Sequence, residues 1–177
     1  MCWKGGVTPG YPGADMIAVK VKGVGMDPSQ NPLLLLIDQE ETMVLPIGIG
    51  LSEAQAISLK LEGHVLPRPL THDLILSVCS NLGARIEKIV VTDMKEGTYY
   101  AEIYLNQDGQ DIIVDSRPSD GIALGLASGS PLFITEKVAE NTLPFEEVLK
   151  ENLESIFDEG EEDEGEVDEG DEENPLH

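Results

Sequence analysis

Asp115-Ser116-Arg117-Pro118-Ser119-Asp120-Gly121-Ile122-Ala123-Leu124 joins a run of β-formers, Ile112-Ile113-Val114, to a segment with helical spacing that extends to about Gly129. Arg117 precedes a proline, which pushes its backbone towards an extended conformation. Pro118 has no N–H to lose, and its fixed φ suits the first helical position. Asp120 then falls in the first turn, where a carboxylate meets the positive end of the helix dipole. The stretch therefore reads as a strand-to-helix corner that collects Asp115, Ser116, Arg117, Ser119 and Asp120.

Arg68-Pro69-Leu70-Thr71-His72-Asp73 repeats the chemistry, with Arg-Pro again followed by a carboxylate at a helix start. Two such corners in one small domain point to a shared polar site. Thr71 is the expected N-cap of the helix after the second corner, and Leu74, Ile75, Val78 and Leu82 follow at helical spacing up to Gly83.

Between and around the corners the pattern is mostly that of strands. Ile17, Val19 and Val21 alternate with Lys20 and Lys22, as in a half-buried strand. Leu33 to Asp38 is apolar on both faces and suits a central strand, with Met43 to Ile49 pairing beside it. Ser52 and Gln55 form a capping-box pattern for a helix over about 53–62. Strands are expected at Arg85–Asp93, Thr98–Leu105 and Gln110–Ser116, joined by turns at Lys95-Glu96-Gly97 and Asn106-Gln107-Asp108-Gly109. A short strand at Leu132–Thr135, a helix from about Glu136 and another at Phe145–Phe157 complete the body. The pattern is that of a single α+β domain over 16–157, with a largely antiparallel sheet and packed helices. Residues 1–15, rich in Gly and Pro, read as a flexible arm.

Leu51-Ser52-Glu53-Ala54-Gln55-Ala56-Ile57 echoes Pro118-Ser119-Asp120-Gly121-Ile122-Ala123-Leu124, and about three strands precede each. The echo points to an internal duplication of a βββα unit. Glu53 and Asp120 would then occupy equivalent helix starts, and a pseudo-two-fold could bring them together.

The formal net charge is −23, and 12 of the 16 residues 158–173 are acidic. Such a run repels itself and has almost nothing to bury, so 158–177 is expected to be a disordered acidic tail. A sharper expectation is that this polyanion mimics nucleic acid at the body's own site. The basic stripe of a typical nucleic-acid binder is missing, so phosphate handling must be local. Cys2 and Cys79 define no disulfide framework, and Cys79 reads as a small core residue. With no signal-peptide pattern and no long apolar run, the expectation is a cytoplasmic protein without membrane contact. Exposed strand edges leave room for a homodimer.

The polar set is Arg68, His72, Asp73, Asp115, Arg117, Ser119 and Asp120, with Glu53 as an outlier. Carboxylates can hold Mg²⁺ or Mn²⁺ with water and substrate phosphate completing the shell. Asp73, Asp115 and Asp120 are the expected metal ligands. Arg68 and Arg117, with Ser119, would bind phosphate, because guanidinium forks match its oxygens. His72 could move a proton near neutral pH, which makes His72, Asp73, Asp115 and Asp120 the catalytic candidates. Zinc spacing, a P-loop and a nucleophile elbow are all missing.

RPLTHD at 68–73, DSRPSDGIALGLASGSP at 115–131 and LFITEKV at 132–138 resemble the bifunctional nuclease domain family. The likeness covers roughly residues 16–140. It implies an α+β fold and a divalent-metal-assisted phosphodiesterase acting on both DNA and RNA. Gly121 and Gly125 stand where the family's helix is expected to carry alanine, which suggests close backbone packing there. The competing reading is a non-catalytic regulatory or ligand-binding module whose Arg-Pro corners are structural.

Overall fold

The computed structural model describes residues 16–64 and 66–148. The expected N-terminal arm, the acidic tail and most of the helix expected over 145–157 lie outside the described residues. Eight strands form one sheet: β1 Met16–Met26, β2 Pro32–Asp38, β3 Met43–Gly48, β4 Ala84–Lys95, β5 Thr98–Gln107, β6 Gln110–Ser116, β7 Leu132–Thr135 and β8 Leu143–Pro144. The helices are α1 Leu51–Leu61, α2 Thr71–Asn81, α3 Pro118–Ser128 and α4 Glu136–Ala139.

The strand order is β6-β5-β4-β7-β1-β2-β3-β8. Two antiparallel meanders, β1-β2-β3 and β4-β5-β6, therefore flank β7. That strand pairs antiparallel with β1 and parallel with β4, so β1 and β4 run in opposite directions on its two sides. Each meander leads into a helix, α1 or α3, and these two helices pack on one another. The topology thus contains the βββα unit twice. Two-residue turns close the second meander: Glu96 and Gly97, like Asp108 and Gly109, have positive φ. That is the geometry required by turns whose twist matches the strands.

The core fills the space between the sheet and the helices. Leu34, Leu36, Leu45, Ile89, Val91 and Ile134 meet Ile57 of α1 and Ile122 of α3, each no more than 1 % exposed. Burial at this density is the main favourable term in folding. α3 lies close on the sheet because two of its residues are glycine. A Cβ on Gly121 would come 3.0 Å from Ile89 Cγ2 and from Ser116 Oγ, and one on Gly125 would come 2.6 Å from Leu132 Cδ2. Alanine at Gly125 would improve helix propensity by about 1 kcal/mol, but overpacking costs about 1–3 kcal/mol. Gly125→Ala is therefore expected to destabilise by about 1 kcal/mol net, read as a lower urea midpoint. A raised midpoint would show that Leu132 gives way freely.

Two local expectations shift. The Ser52–Gln55 capping box does not form, because α1 begins at Leu51 with Gly50 as its N-cap. Ser52 Oγ instead donates to Glu53 Oε2 at 3.0 Å, and that carboxylate folds back over Gly50, where a Cβ would lie 2.3 Å from it. Likewise Leu70, not Thr71, is the N-cap of α2, fixed by its N–H donating to Asp73 Oδ2 at 3.0 Å. The apolar stripe of α2 also departs from expectation. Leu74, Ile75, Val78 and Leu82 are 40–64 % exposed, Cys79 is half-buried, and only Leu76 of the helix packs against the core.

Candidate functional site

Glu53, Asp73 and Asp120 are each the third residue of a helix. A carboxylate there faces the free N–H groups and the positive end of the helix dipole. The fold then gathers these helix starts. α3 packs against both α1 and α2, so the three acids and the residues beside them share one end of the helical layer.

Arg117 is the hub. Its Nε donates to Asp120 Oδ2 at 2.7 Å and its Nη2 to Asp120 Oδ1 at 3.1 Å. The same Nη2 lies 2.9 Å from Glu53 Oε1. One guanidinium nitrogen thus binds carboxylates from both βββα units, and it joins the two helix starts that the internal echo made equivalent. His72 Nε2 lies 3.4 Å from Asp120 Oδ1, which brings the two Arg-Pro corners into contact. The side chains of His72 and Glu53 are 13 % and 16 % exposed, but that of Arg117 is 66 % exposed. The cation is therefore accessible while Glu53 and His72 are sheltered and Asp120 is half-buried.

The charges answer this geometry. The Arg117 hydrogen bonds hold Asp120 below the usual carboxylate range, against the opposing effect of burial. Glu53 is held low first by its own backbone N–H and by Ser52, with Arg117 adding a smaller pull. Asp120 in turn raises Arg117 above its ordinary value. All three groups therefore remain ionised at neutral pH.

Asp73 is engaged elsewhere. Its carboxylate accepts from Lys60 and from the Leu70 N–H, and Lys60 is the main cause of its lowered pKa. Arg68 makes no ion pair among the described residues, so it does not brace Asp73. It lines a hollow of about 340 Å³ with Lys60, His64 and Asp73. Arg117 and Ser119 line a different hollow of about 530 Å³, walled by Leu33, Ile47, Tyr99 and Pro118 and by Gly48, Gly50 and Gly97. The corners meet through His72 and Asp120, but their arginines face separate hollows.

Asp115 does not join them. Ser116 points towards Gly121 of α3, and side chains alternate along a strand, so Asp115 lies on the opposite face of the sheet. There it sits across from Glu102 of β5 and lines a third cavity, of about 580 Å³, with Asp93, Lys95, Tyr100 and Lys137. Asp93 in that cavity is lowered to about 2, chiefly by Lys137 and Lys95.

Among the described residues no three or more His, Cys, Asp or Glu side chains are arranged to hold a metal ion. Asp73, Asp115 and Asp120 therefore do not form a common ligand set. The pair that fits a hard divalent cation is Glu53 with Asp120, since Mg²⁺ commonly takes one or two carboxylates and completes its shell with water and phosphate oxygens. Both already face one cationic nitrogen, that of Arg117. Glu53 stood outside the two motifs in sequence, and its only signal was the echo between the two units. Lys60 and Tyr99 carried no signal, because partners across helices and strands depend on the fold.

The bifunctional nuclease domain model matches residues 34–146. An uncharacterized protein of Mycobacterium tuberculosis is 41 % identical over 121 residues, which cover 68 % of this chain and 72 % of that one. Bifunctional nuclease 1 of Oryza sativa subsp. japonica and the bifunctional nuclease of Oryza minuta are each 22 % identical over 114 residues, 63 % of this chain and 34 % of theirs. Both Arg-Pro corners and all four members of the Arg117 cluster fall within the matched region. The chain belongs to the bifunctional nuclease domain family.

Proposed function

We propose that this protein is a nuclease that hydrolyses phosphodiester bonds of DNA and RNA with low sequence specificity, assisted by Mg²⁺ or Mn²⁺. The observation that carries the reading is the convergence of Glu53 and Asp120 on the exposed guanidinium of Arg117, with His72 set against Asp120. Arg117 binds a backbone phosphate through its fork, and the hollow beside it seats the adjoining nucleotide against Tyr99 and the glycine backbone. A phosphate on Arg117 competes with Asp120 and Glu53 and frees their oxygens for a cation. His72, oriented by Asp120 at Nε2, moves a proton through its other ring nitrogen, Nδ1. A bound divalent ion would polarise a phosphoryl oxygen and acidify a water molecule. Recognition of the phosphate and sugar chain alone accounts for action on either nucleic acid. The acidic surface opposes binding over a distance, so the cation and Arg117 must reverse the potential locally.

One observation favours the competing reading of a non-catalytic module: Arg117 braces α1 to α3 through its ion pairs with Glu53 and Asp120. The test is cleavage of supercoiled plasmid and of single-stranded RNA by the purified protein. Both are expected to be cut with Mg²⁺ or Mn²⁺ and spared with EDTA. Intact substrates under every metal condition would leave the binding module as the better account.

A further inference from the structure

Arg68 is an exposed cation that the Arg117 cluster leaves unused. It makes no ion pair among the described residues, in a chain with 34 acids and 11 bases. Lys60 and Arg117, by contrast, are both taken by carboxylates. Pro67 and Pro69 stiffen the backbone on either side of Arg68, so the segment that presents its guanidinium is already set in place. The hollow it lines, of about 340 Å³, has Leu59 and Leu70 as an apolar wall. Lys60 neutralises Asp73 there, which leaves the charge of Arg68 in excess. Three other hollows among the described residues are neutral or acidic. That of about 530 Å³ balances Arg117 against Asp27, and one of about 390 Å³ balances Arg85 against Asp108. That of about 580 Å³ has four acids to two lysines.

We infer that the Arg68 hollow binds a second backbone phosphate of the strand being cut, one or more nucleotides from the scissile bond. The inference rests on the nuclease reading and deepens it by naming the substrate class, an oligonucleotide strand rather than a dinucleotide. Asp73, in the wall of this hollow, directly follows His72 in the first turn of α2, and His72 Nε2 lies 3.4 Å from Asp120 Oδ1. Arg68 stands four residues before His72, so their Cα atoms are at most about 14 Å apart. A strand with its scissile phosphate on Arg117 therefore needs only to pass this turn to reach Arg68. The hollows of Arg117 and Arg68 share no lining residue, so they hold two phosphates and not one. A guanidinium fork matches phosphate oxygens, and Leu59 and Leu70 shelter the sugar beside it. An acidic chain repels a polyanion at a distance, so affinity must come from short-range contacts of this kind. Arg117 has to release Asp120 and Glu53 to take a phosphate. Arg68 has no such ion pair to break, and it anchors the strand without that cost.

Fluorescence anisotropy of an end-labelled single-stranded octanucleotide tests the inference, with the full chain in Ca²⁺ and the strand checked to be intact afterwards. Arg68→Gln is expected to weaken binding about 5- to 10-fold. It should also flatten the slope of log affinity against log salt by about 0.7, the share of one phosphate contact on a single strand. Arg85→Gln removes the same charge from a neutral hollow and is expected to bind as the wild type does. With Mn²⁺, Arg68→Gln is expected to raise KM on the octanucleotide and keep kcat. On a dinucleotide, too short to reach the hollow, it should match the wild type. Arg68 is exposed, so far-UV circular dichroism should be unchanged. Wild-type affinity in Arg68→Gln, an equal loss in Arg85→Gln, or no binding by the wild type overturns the inference. Unchanged binding with cleavage intact would strike the inference and leave the nuclease reading standing. Weakened binding with no cleavage by the wild type would keep the phosphate subsite and strike the nuclease reading.

Discussion

Ile134→Ala is expected to lower unfolding stability by about 3–5 kcal/mol, near the top of the range for a buried aliphatic truncation. Ile134 is fully buried. It pairs with Ile17 of β1 on one side and Val91 of β4 on the other. β7 is only four residues long, and it is the sole strand joining the two meanders, so a cavity there weakens the seam between both halves at once. Domains of this size are stable by about 5–15 kcal/mol, and each kcal/mol shifts the melting temperature by about 2–4 °C. A fall of roughly 10 °C follows, measurable by circular dichroism. A loss below about 1 kcal/mol would mean that the seam relaxes around the gap and that β7 does not hold the halves together.

The strands were the most legible part of the fold. Alternation and turn residues located β4, β5, β6 and β7 nearly to the residue, because a two-residue turn with positive φ leaves an Asp-Gly or Glu-Gly signature. The echo of Glu53 and Asp120 pointed to the repeated unit and to the meeting of those two acids. Helix starts were less legible. At Gly50 and Leu70 the third-residue carboxylates, not the hydroxyls of Ser52 and Thr71, organise the first turn. The α2 stripe misled in another way: helical spacing identifies an apolar face but not what covers it. Asp115 shows the limit of motif reading. It stands two residues from Arg117 in sequence, yet the strand period of two turns it to the far side of the sheet. Arg68 and Arg117 share a dipeptide motif but open onto different hollows, which the topology decides and the motif cannot.

The second large effect concerns chemistry. Asp120→Asn keeps the shape of the side chain and can still accept a bond from Arg117, but it removes the charge. His72 then loses the carboxylate at its Nε2, and the pair fit for a divalent cation is reduced to Glu53. Losses of about 10²- to 10⁴-fold are typical when a positioned acid–base group is disabled, and plasmid and RNA cleavage should fall together because one site serves both. Folding should suffer little. The Asp120 side chain is 32 % exposed and its partner 66 %, so solvent screening leaves the pair a contribution of about 1 kcal/mol or less.

The most direct measurement compares the metal-dependent cleavage rates of wild type, Asp120→Asn and Asp115→Asn on the same plasmid and RNA. The account predicts that Asp120→Asn loses at least about 10²-fold on both substrates, while Asp115→Asn, on the opposite face of the sheet, keeps the wild-type rate. Full activity in Asp120→Asn, or its loss in a folded Asp115→Asn, would contradict placing the chemistry where the three helices begin.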